Sequence, residues 1–509
     1  MTGNVFITLV RPPILTPQSN PIVQYTPPIG IAYLAASVRE AGFPVQVIDG
    51  LGEGLEQRHP WPNRNYIYGL DLDEVTSRIS QDATLIGIST DFSFEWPVYR
   101  ALIGKIRARF PEAFLVAGGE HATALPALCL KETTLDAVVS GEGEETLVQI
   151  ARCLAGGDRQ LAGVMGVCVR SGDGIELRER QKRIRNLDAI PWPAWDLVPI
   201  EGYLDRGMGF GVNRGRSLPL LASRGCPYRC VFCSSPMMWT TLWQARSPDL
   251  LLDEIEAMQK RYQVSNFDFY DLTAIVKKAW IIEFCRKIEE RGLEFTWQLP
   301  SGTRTEAIDA DVAQLLYRTG CRNISYSPES GSPSTLRRIK KKIDVNRLAA
   351  SVKSSVDCGL NVKCNLIIGF PGETFREIMQ TLAFAARLAL MGSHDISIWL
   401  FSPYPGSEVF NDLHEAGKIQ LDDAYFNDLR AYADLAHASS FNEYFSARTL
   451  GLLRLLGTAL FYFVSWTLRP VRVLRMIVNL TKGKQESRFE LALSTLFRSR
   501  RATPSGTER

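Results

Sequence analysis

The 509-residue sequence has no excess of either charge, since 58 Lys and Arg residues oppose 55 Asp and Glu residues and leave a net charge of +3. Because the positive and negative charges are nearly equal in number, the composition gives no basis for nucleic-acid binding by the chain as a whole. The first ten residues lack the basic start and the small-residue cleavage site of a secretory signal, and Pro12 and Pro13 follow them closely. They predict a first β-strand instead. The length predicts about two to four domains.

The ten cysteines do not form the pattern of a disulfide framework. Seven are scattered singly among apolar neighbours, as in reduced protein cores, which predicts a cytoplasmic location. The other three, Cys226, Cys230 and Cys233, have the spacing CxxxCxxC. Three thiolates form a soft ligand set that suits a 4Fe-4S cluster, and the fourth iron of such a cube then lacks a protein ligand. Zinc would need a fourth Cys or His, which residues 223–245 lack, and buried free thiols are the other alternative.

Residues 1–155 alternate apolar runs with amphipathic stretches, which predicts a parallel sheet covered on both faces. The pattern indicates a doubly wound, Rossmann-like α/β domain whose ligand lies beyond the carboxyl ends of the strands. Nucleotide or flavin binding is the alternative for this domain. Its usual motif, GxGxxG at the start of the first helix, is missing from the sequence. Strands are predicted at 5–10, 45–48, 85–89, 114–117 and 137–140, and helices at 30–41, 97–109 and 144–154.

A connector, residues 156–217, and a second β/α region, residues 218–410, follow. The connector predicts a β-hairpin and a rigid segment rich in proline and tryptophan. The second region predicts a partial (β/α)6 barrel of the TIM type, with its chemistry at the carboxyl ends of the strands. Its predicted strands are 218–222, 266–270, 295–299, 323–327, 365–368 and 395–401.

Residues 411–509 predict an α-helical C-terminal region. The most apolar window, 455–468, lies between Arg454 and Arg469 and makes about 21 Å of helix, against a hydrocarbon core of about 30 Å. We therefore do not expect a membrane-spanning helix. The basic and apolar residues that follow suit a helix on an anionic membrane surface, and a cap packed on the barrel is the alternative.

The cysteine triad, with Phe232 before its last member, resembles the radical S-adenosylmethionine (SAM) superfamily. The resemblance implies a 4Fe-4S cluster on Cys226, Cys230 and Cys233, SAM chelated at the open iron, and a 5'-deoxyadenosyl radical. It also implies a low-potential electron donor of the flavodoxin or ferredoxin type. The implied SAM contacts at the ends of the later strands are Asp271, Arg304, Glu329 and Gly369, although Asp271 stands where the family usually has Gly-Gly-Glu.

The loops of the N-terminal domain resemble the cobalamin-binding domain found upstream of a subset of radical SAM enzymes. That resemblance implies cobalamin contacts, and it implies cobalt without a histidine ligand because residues 11–28 contain no histidine. The loop residues that carry the resemblance or lie beside it are Ser89, Thr90, Gly118, Gly119, His121, Gly141 and Glu142.

Together these resemblances imply a cobalamin-dependent radical SAM enzyme that methylates an unactivated carbon of a small molecule. Oxidative cyclisation, as in the anaerobic magnesium-protoporphyrin monomethyl ester cyclase, and carbon-carbon coupling of lipid chains are alternatives. A cofactor-binding protein without turnover is a third. The apolar C-terminal region favours a lipophilic substrate and peripheral contact with the inner face of the membrane.

Overall fold

The computed structural model describes residues 5–501 except 20–25, 173, 304–306, 433 and 435. Within these ranges the chain forms a doubly wound N-terminal domain, an open barrel and a helical C-terminal region. This is the predicted fold class, and both the parallel sheet and the six-stranded partial barrel are confirmed.

The N-terminal domain is built on a seven-stranded sheet in the order β10-β9-β8-β7-β6-β1-β3. Its strands are β1 (Phe6–Arg11), β3 (Val45–Asp49), β6 (Ala83–Ser89), β7 (Phe114–Gly118), β8 (Ala137–Val139), β9 (Val167–Ser171) and β10 (Gly174–Leu177); β2 (Ile14–Pro17), β4 (Arg58–Trp61) and β5 (Asn65–Tyr68) form a small second sheet. The helices are α1 (Ile29–Glu40), α2 (Leu72–Arg78), α3 (Trp96–Arg109), α4 (Glu120–Ala124), α5 (Pro126–Glu132) and α6 (Glu144–Ala155).

The connector is more integrated than its sequence predicts. Its hairpin forms as expected, but β9 pairs antiparallel with β8 and so extends the N-terminal sheet. In the proline-rich segment, Trp195 is buried, and the Ala194 N–H donates to the Ala32 carbonyl of α1. Trp192 of the same segment is 39% exposed, so one of the two tryptophans packs. The helix α7 (Ile200–Asp205) continues the connector toward the barrel.

The barrel sheet has six parallel strands in chain order, β11-β14-β15-β16-β17-β18. All carboxyl ends therefore lie at one rim. The strands are β11 (Ser217–Leu220), β14 (Asn266–Phe269), β15 (Thr296–Thr303), β16 (Cys321–Glu329), β17 (Asn361–Ile368) and β18 (Asp395–Leu400), and β12 (Ser223–Arg224) pairs with β13 (Gln244–Ala245) above them. The helices are α8 (Ser235–Trp239), α9 (Pro248–Tyr262), α10 (Lys278–Arg291), α11 (Ala310–Arg318), α12 (Pro333–Arg338), α13 (Val345–Asp357) and α14 (Phe375–Met391).

The C-terminal helices pack on the outside of the barrel, where α17 lies against α14 and β18. The helices are α15 (Glu408–Glu415), α16 (Asp423–Asp428), α17 (Ala447–Leu468), α18 (Pro470–Thr481) and α19 (Arg488–Arg501). The predicted apolar window was too short. The helix α17 has 22 residues, because Arg454 does not interrupt it but points inward and donates to the carbonyls of Ala431 and Asp434.

By length and composition α17 is long and apolar enough to cross a membrane. Among the described residues one helix meets this criterion. In the folded chain one side of it contacts the barrel. Gly457 sits at the closest approach, since a Cβ there would lie 2.6 Å from Leu382 Cδ2 and 2.7 Å from Ile398 Cδ1.

We predict that Gly457→Val lowers the free energy of unfolding by about 1–3 kcal/mol more than Gly451→Val does. Both changes put a β-branched residue in the interior of α17, so the intrinsic helix cost cancels. A Cβ at Gly451 meets its nearest atom, Ala438 Cβ, at 3.6 Å, an ordinary contact. Urea unfolding of the two variants measures the difference, and equal stabilities would contradict the packing described here.

Candidate active site

The three cysteines lie in the loop of residues 225–234, named the cluster loop, which joins β12 to α8 at the rim of the barrel. None of the three forms a disulfide, and each is partly accessible. The loop is held from below, because the Val231 N–H donates to the Ile339 carbonyl (3.1 Å) and the Phe232 ring packs on Phe370 at 5.6 Å between centroids. Phe232 therefore supports the loop from the core side.

The donor set fits an iron-sulfur cube. Burial, with smaller contributions from the neighbouring Cys230, Glu120 and Cys226, raises the pKa of the Cys233 thiol to about 12, so the three thiols lie near one another. Within the described ranges no three His, Cys, Asp or Glu side chains converge as the ligands of a single ion. A cube does not require such convergence, since each thiolate binds a different iron atom.

Asp271 holds the start of the cluster loop. Its carboxylate accepts hydrogen bonds from the Ala222 N–H (3.2 Å), the Ser223 N–H and the Ser223 hydroxyl (2.5 Å). Burial raises the pKa of Asp271 to about 6, while these donors act to lower it. The sequence pattern predicts a SAM contact at this position, but the structure engages both carboxylate oxygens with β12 and the residue before it.

Glu329 and Gly369 lie where the sequence predicts them, at the carboxyl ends of β16 and β17. Glu329 is buried, has a φ of 66° and pairs with Lys341 at 2.9 Å. Left-handed backbone at a non-glycine residue is uncommon and clusters at functional sites. The Gly369 N–H donates to Glu373 Oε2 (2.7 Å), and its φ is +88°. Both remain predicted SAM contacts, and Arg304 lies outside the described residues.

A cavity of about 370 Å³ opens between the N-terminal domain and the barrel. Ser89, Gly118, Gly119, Gly141 and Glu142 all line it, as the resemblance implies. Gly119, whose φ is +124°, allows a close approach of the chain after β6, since a Cβ there would lie 2.7 Å from the Thr90 carbonyl oxygen. An elongated group such as the nucleotide tail of cobalamin fits this slot between the sheet and the helices α1 and α6.

Thr90 and His121 do not line the cavity, although both are predicted contacts. The Thr90 hydroxyl donates to the Gly118 carbonyl at 3.0 Å. His121 is fully buried on the far side of α4, with its ring 4.6 Å from Trp96 and 5.8 Å from Phe426 between centroids. Neighbouring residues of a helix point about 100° apart. The preceding residue, Glu120, faces the cavity instead.

Sequence reasoning missed Glu120. Its carboxylate accepts a hydrogen bond from Ser234, the residue after Cys233, at 3.3 Å. Burial raises the pKa of Glu120 to about 7, and the negative charge of Asp91 adds to the effect. The glycine-rich loop of one domain is therefore in direct contact with the cluster loop of the other.

A buried ionic network, also missed from the sequence, joins the two domains beside the cavity. Glu142 pairs with Arg183 at 2.6 Å and with Arg224 at 3.1 Å, and Arg224 also reaches Glu144 at 2.6 Å. Arg183 donates in addition to the Trp239 carbonyl at the end of α8. The position of Arg224 next to the cysteine motif could have indicated a functional role. Its partner Glu142 lies 82 residues away in the sequence, and no local pattern reveals such a pair.

We predict that Glu142→Ala lowers the free energy of unfolding by about 3 kcal/mol, because it strips two buried guanidinium groups of a shared carboxylate. The same change should reduce retention of cobalamin, read from the visible absorption of the purified protein. Glu145→Ala is the matched control, since Glu145 is exposed and accepts one hydrogen bond, from Gln181. It should change stability by less than about 0.5 kcal/mol.

His121 predicts a pH dependence of stability. Burial lowers its pKa from 6.5 to about 3, so the folded ring stays neutral while the unfolded one gains a proton below pH 6.5. Its contribution to stability is therefore full above pH 6.5 and is lost as pH falls, by about 1.4 kcal/mol per unit. Urea unfolding at pH 7.5 and pH 5.5 should show a smaller acid loss for His121→Phe than for the wild type. Equal losses would contradict this.

Comparisons with known proteins agree with this geometry. The model of the radical SAM superfamily matches residues 220–385, and that of the B12 binding domain matches residues 20–151. An uncharacterized methyltransferase of Pyrococcus horikoshii is 32% identical over 79% of this chain and 82% of its own length.

Two further relatives are more distant. Cytidylyl-2-hydroxyethylphosphonate methyltransferase of Streptomyces wedmorensis is 26% identical over 79% of this chain and 80% of its own length. The anaerobic magnesium-protoporphyrin IX monomethyl ester cyclase of Rubrivivax gelatinosus is 25% identical over 77% and 67%.

Among solved structures, the radical SAM methyltransferase TsrM of Kitasatospora setae, with cobalamin and a 4Fe-4S cluster bound, has a TM-score of 0.64 at 18% identity. The match covers 84% of this chain and 82% of TsrM, which shows a common fold. These matches agree with the cluster loop at the barrel rim and the glycine-lined slot that faces it. The chain therefore belongs to the cobalamin-binding radical SAM enzymes.

Proposed function

We propose that this enzyme methylates an unactivated carbon atom of a small molecule. The observation that carries the proposal is the shared wall of the cavity. Gly118 and Gly119 of the N-terminal domain and Arg224 and Gly225 of the barrel line the same space, next to the cysteines. Groups bound by the two domains are thereby held side by side, which transfer to one substrate carbon requires.

The chemistry itself belongs to the cofactors: SAM and the 4Fe-4S cluster supply a carbon-centred radical, and cobalamin supplies a methyl group. The protein binds and orients. Cys226, Cys230 and Cys233 hold the cluster, and Asp271 fixes the start of their loop. Met238 and Trp239 line the cavity beside aliphatic side chains of the N-terminal domain, which keeps water from a reactive centre.

The names of the relatives support methylation over other outcomes. The relatives of Pyrococcus horikoshii and Streptomyces wedmorensis are called methyltransferases, and each matches about four fifths of this chain. The cyclase match, at 25% identity over 77% of the chain, makes oxidative ring formation the second candidate. The two differ in a product that is simple to measure, because methylation consumes a second SAM as methyl donor.

Purified enzyme, reconstituted anaerobically with iron, sulfide, cobalamin and a low-potential reductant, should form both 5'-deoxyadenosine and S-adenosylhomocysteine from SAM. Chromatography with mass spectrometry measures the two products. Formation of 5'-deoxyadenosine without S-adenosylhomocysteine would reject methylation and favour the cyclase-type reaction.

The control is the triple variant Cys226→Ala, Cys230→Ala and Cys233→Ala. It should lose the iron-sulfur absorption and all 5'-deoxyadenosine formation, since no soft ligands remain in the loop. Unchanged SAM cleavage by this variant would exclude the cluster loop as the site.

The proposed partners follow from the same chemistry. The cluster needs one electron for each radical event, which we assign to a flavodoxin or ferredoxin. The ten cysteines form no disulfide among the described residues, which suits a reducing compartment, so we place the enzyme in the cytoplasm, with peripheral contact at the membrane. The apolar lining of the cavity and the apolar C-terminal helices favour a lipophilic small molecule as substrate.

A further inference from the structure

The outward side of the helices α17 and α18 is largely apolar. The inward side of α17 already packs on the barrel, so these outward side chains are additional to the core. Leu456, Phe463 and Leu474 have 63%, 69% and 63% of their surface exposed. The other exposed large apolar residues of the two helices are Leu452, Leu455, Leu460, Leu468, Val471, Ile477 and Val478.

The helix α14 widens this surface. It runs beside α17 in the same direction, since Phe375 at its start lies 6.5 Å from Phe445 between ring centroids, and Leu390 near its end accepts a hydrogen bond from Arg469. Phe375, Met379 and Leu390 are exposed on it. The exposed apolar residues of α14, α17 and α18 are called the outer face. A contiguous apolar surface this large marks an interaction site in a soluble domain.

The charges at the outer face are of one sign. Residues 447–484 contain no Asp or Glu, and their basic residues are Arg448, Arg454, Arg469, Arg472, Arg475, Lys482 and Lys484. Three of these point into the protein: Arg454 is buried, and Arg469 and Arg472 donate to carbonyls at the end of α14. Arg448 is exposed in the first turn of α17, and Lys482 and Lys484 are exposed just after the end of α18. Arg475 is exposed in the middle of α18, 3.9 Å from Glu486.

We propose that the outer face binds the surface of an anionic lipid bilayer. Apolar side chains on one side with basic residues at the edges are the pattern of a helix that lies in the membrane interface. A second copy of the same face fits less well, because pairing would bring cations together with no carboxylate in this segment to balance them. This inference is independent of the reaction proposed above.

The helices lie on the membrane and do not cross it. To span a bilayer, α17 would have to leave the barrel and carry the Arg454 guanidinium into hydrocarbon, away from the carbonyls that it now contacts. It would also break the hydrogen bond from Tyr462 to Asp395 and expose the close contact at Gly457. The outer face is available without any of these losses.

Sedimentation of the full-length, cofactor-loaded enzyme with vesicles tests the proposal. The wild type should pellet with phosphatidylcholine vesicles that contain phosphatidylglycerol and much less with phosphatidylcholine alone. The variant Leu456→Glu with Leu474→Glu should bind about tenfold less. The matched control, Leu177→Glu with Leu250→Glu, changes exposed leucines elsewhere and should bind like the wild type.

Iron content, cobalamin content and SAM cleavage of all variants should equal those of the wild type, which separates loss of binding from misfolding. Wild-type enzyme that stays in the supernatant would overturn the proposal, as would undiminished binding by the outer-face variant. Equal binding to neutral and anionic vesicles would overturn the role of the basic edge. A wild-type dimer that the outer-face variant dissociates would assign the face to self-association.

Discussion

The ionic contact between Glu142, Arg183 and Arg224 is the interaction on which the rest of the site depends. It is buried, it joins the loop after β8 to β12, the strand before the cluster loop, and Glu142 and Arg224 lie in the wall of the cavity. A buried charge pair of this kind adds little net stability but tolerates few alternative arrangements. The network therefore fixes the position of the N-terminal domain relative to the barrel. The proposed reaction depends on this position, because it needs groups bound by both domains to meet.

Around that contact, residues of the loops at the barrel rim hold neighbouring loops in place. Asp271, at the end of the second barrel strand, fixes the residues that precede the cysteines. Glu120, from the glycine-rich loop, contacts the residue that follows them. The cluster loop is therefore held from the barrel below and from the cobalamin-binding domain above. Asp271, which the resemblance implies as a SAM contact, positions this loop. In the short helix α4, Glu120 contacts the cluster loop, whereas the adjacent His121 packs in the core.

The C-terminal region shows a division of a different kind. The helix α17 is apolar all round, yet half of it closes the outside of the barrel and half remains uncovered. The inward half includes Gly457 and Tyr462, which contact the barrel, and Arg454, which donates to a carbonyl of the preceding C-terminal segment. The orientation of the helix is therefore set by these contacts and not by its hydrophobicity. The fold of the chain therefore does not depend on what binds to the outward half of α17.

The sequence by itself determined the features that depend on neighbours along the chain. The spacing of Cys226, Cys230 and Cys233 is a feature of the sequence itself. The alternation of strands and helices, and the glycines at the ends of β7 and β8, follow from local geometry, and the alternation is confirmed. Tertiary structure alone decided which way side chains face and which distant groups meet. His121 turns from the cavity because a helix rotates each residue about 100° from the last. Arg183 meets a carboxylate 41 residues away, and α17 buries one of two apolar sides that periodicity does not distinguish.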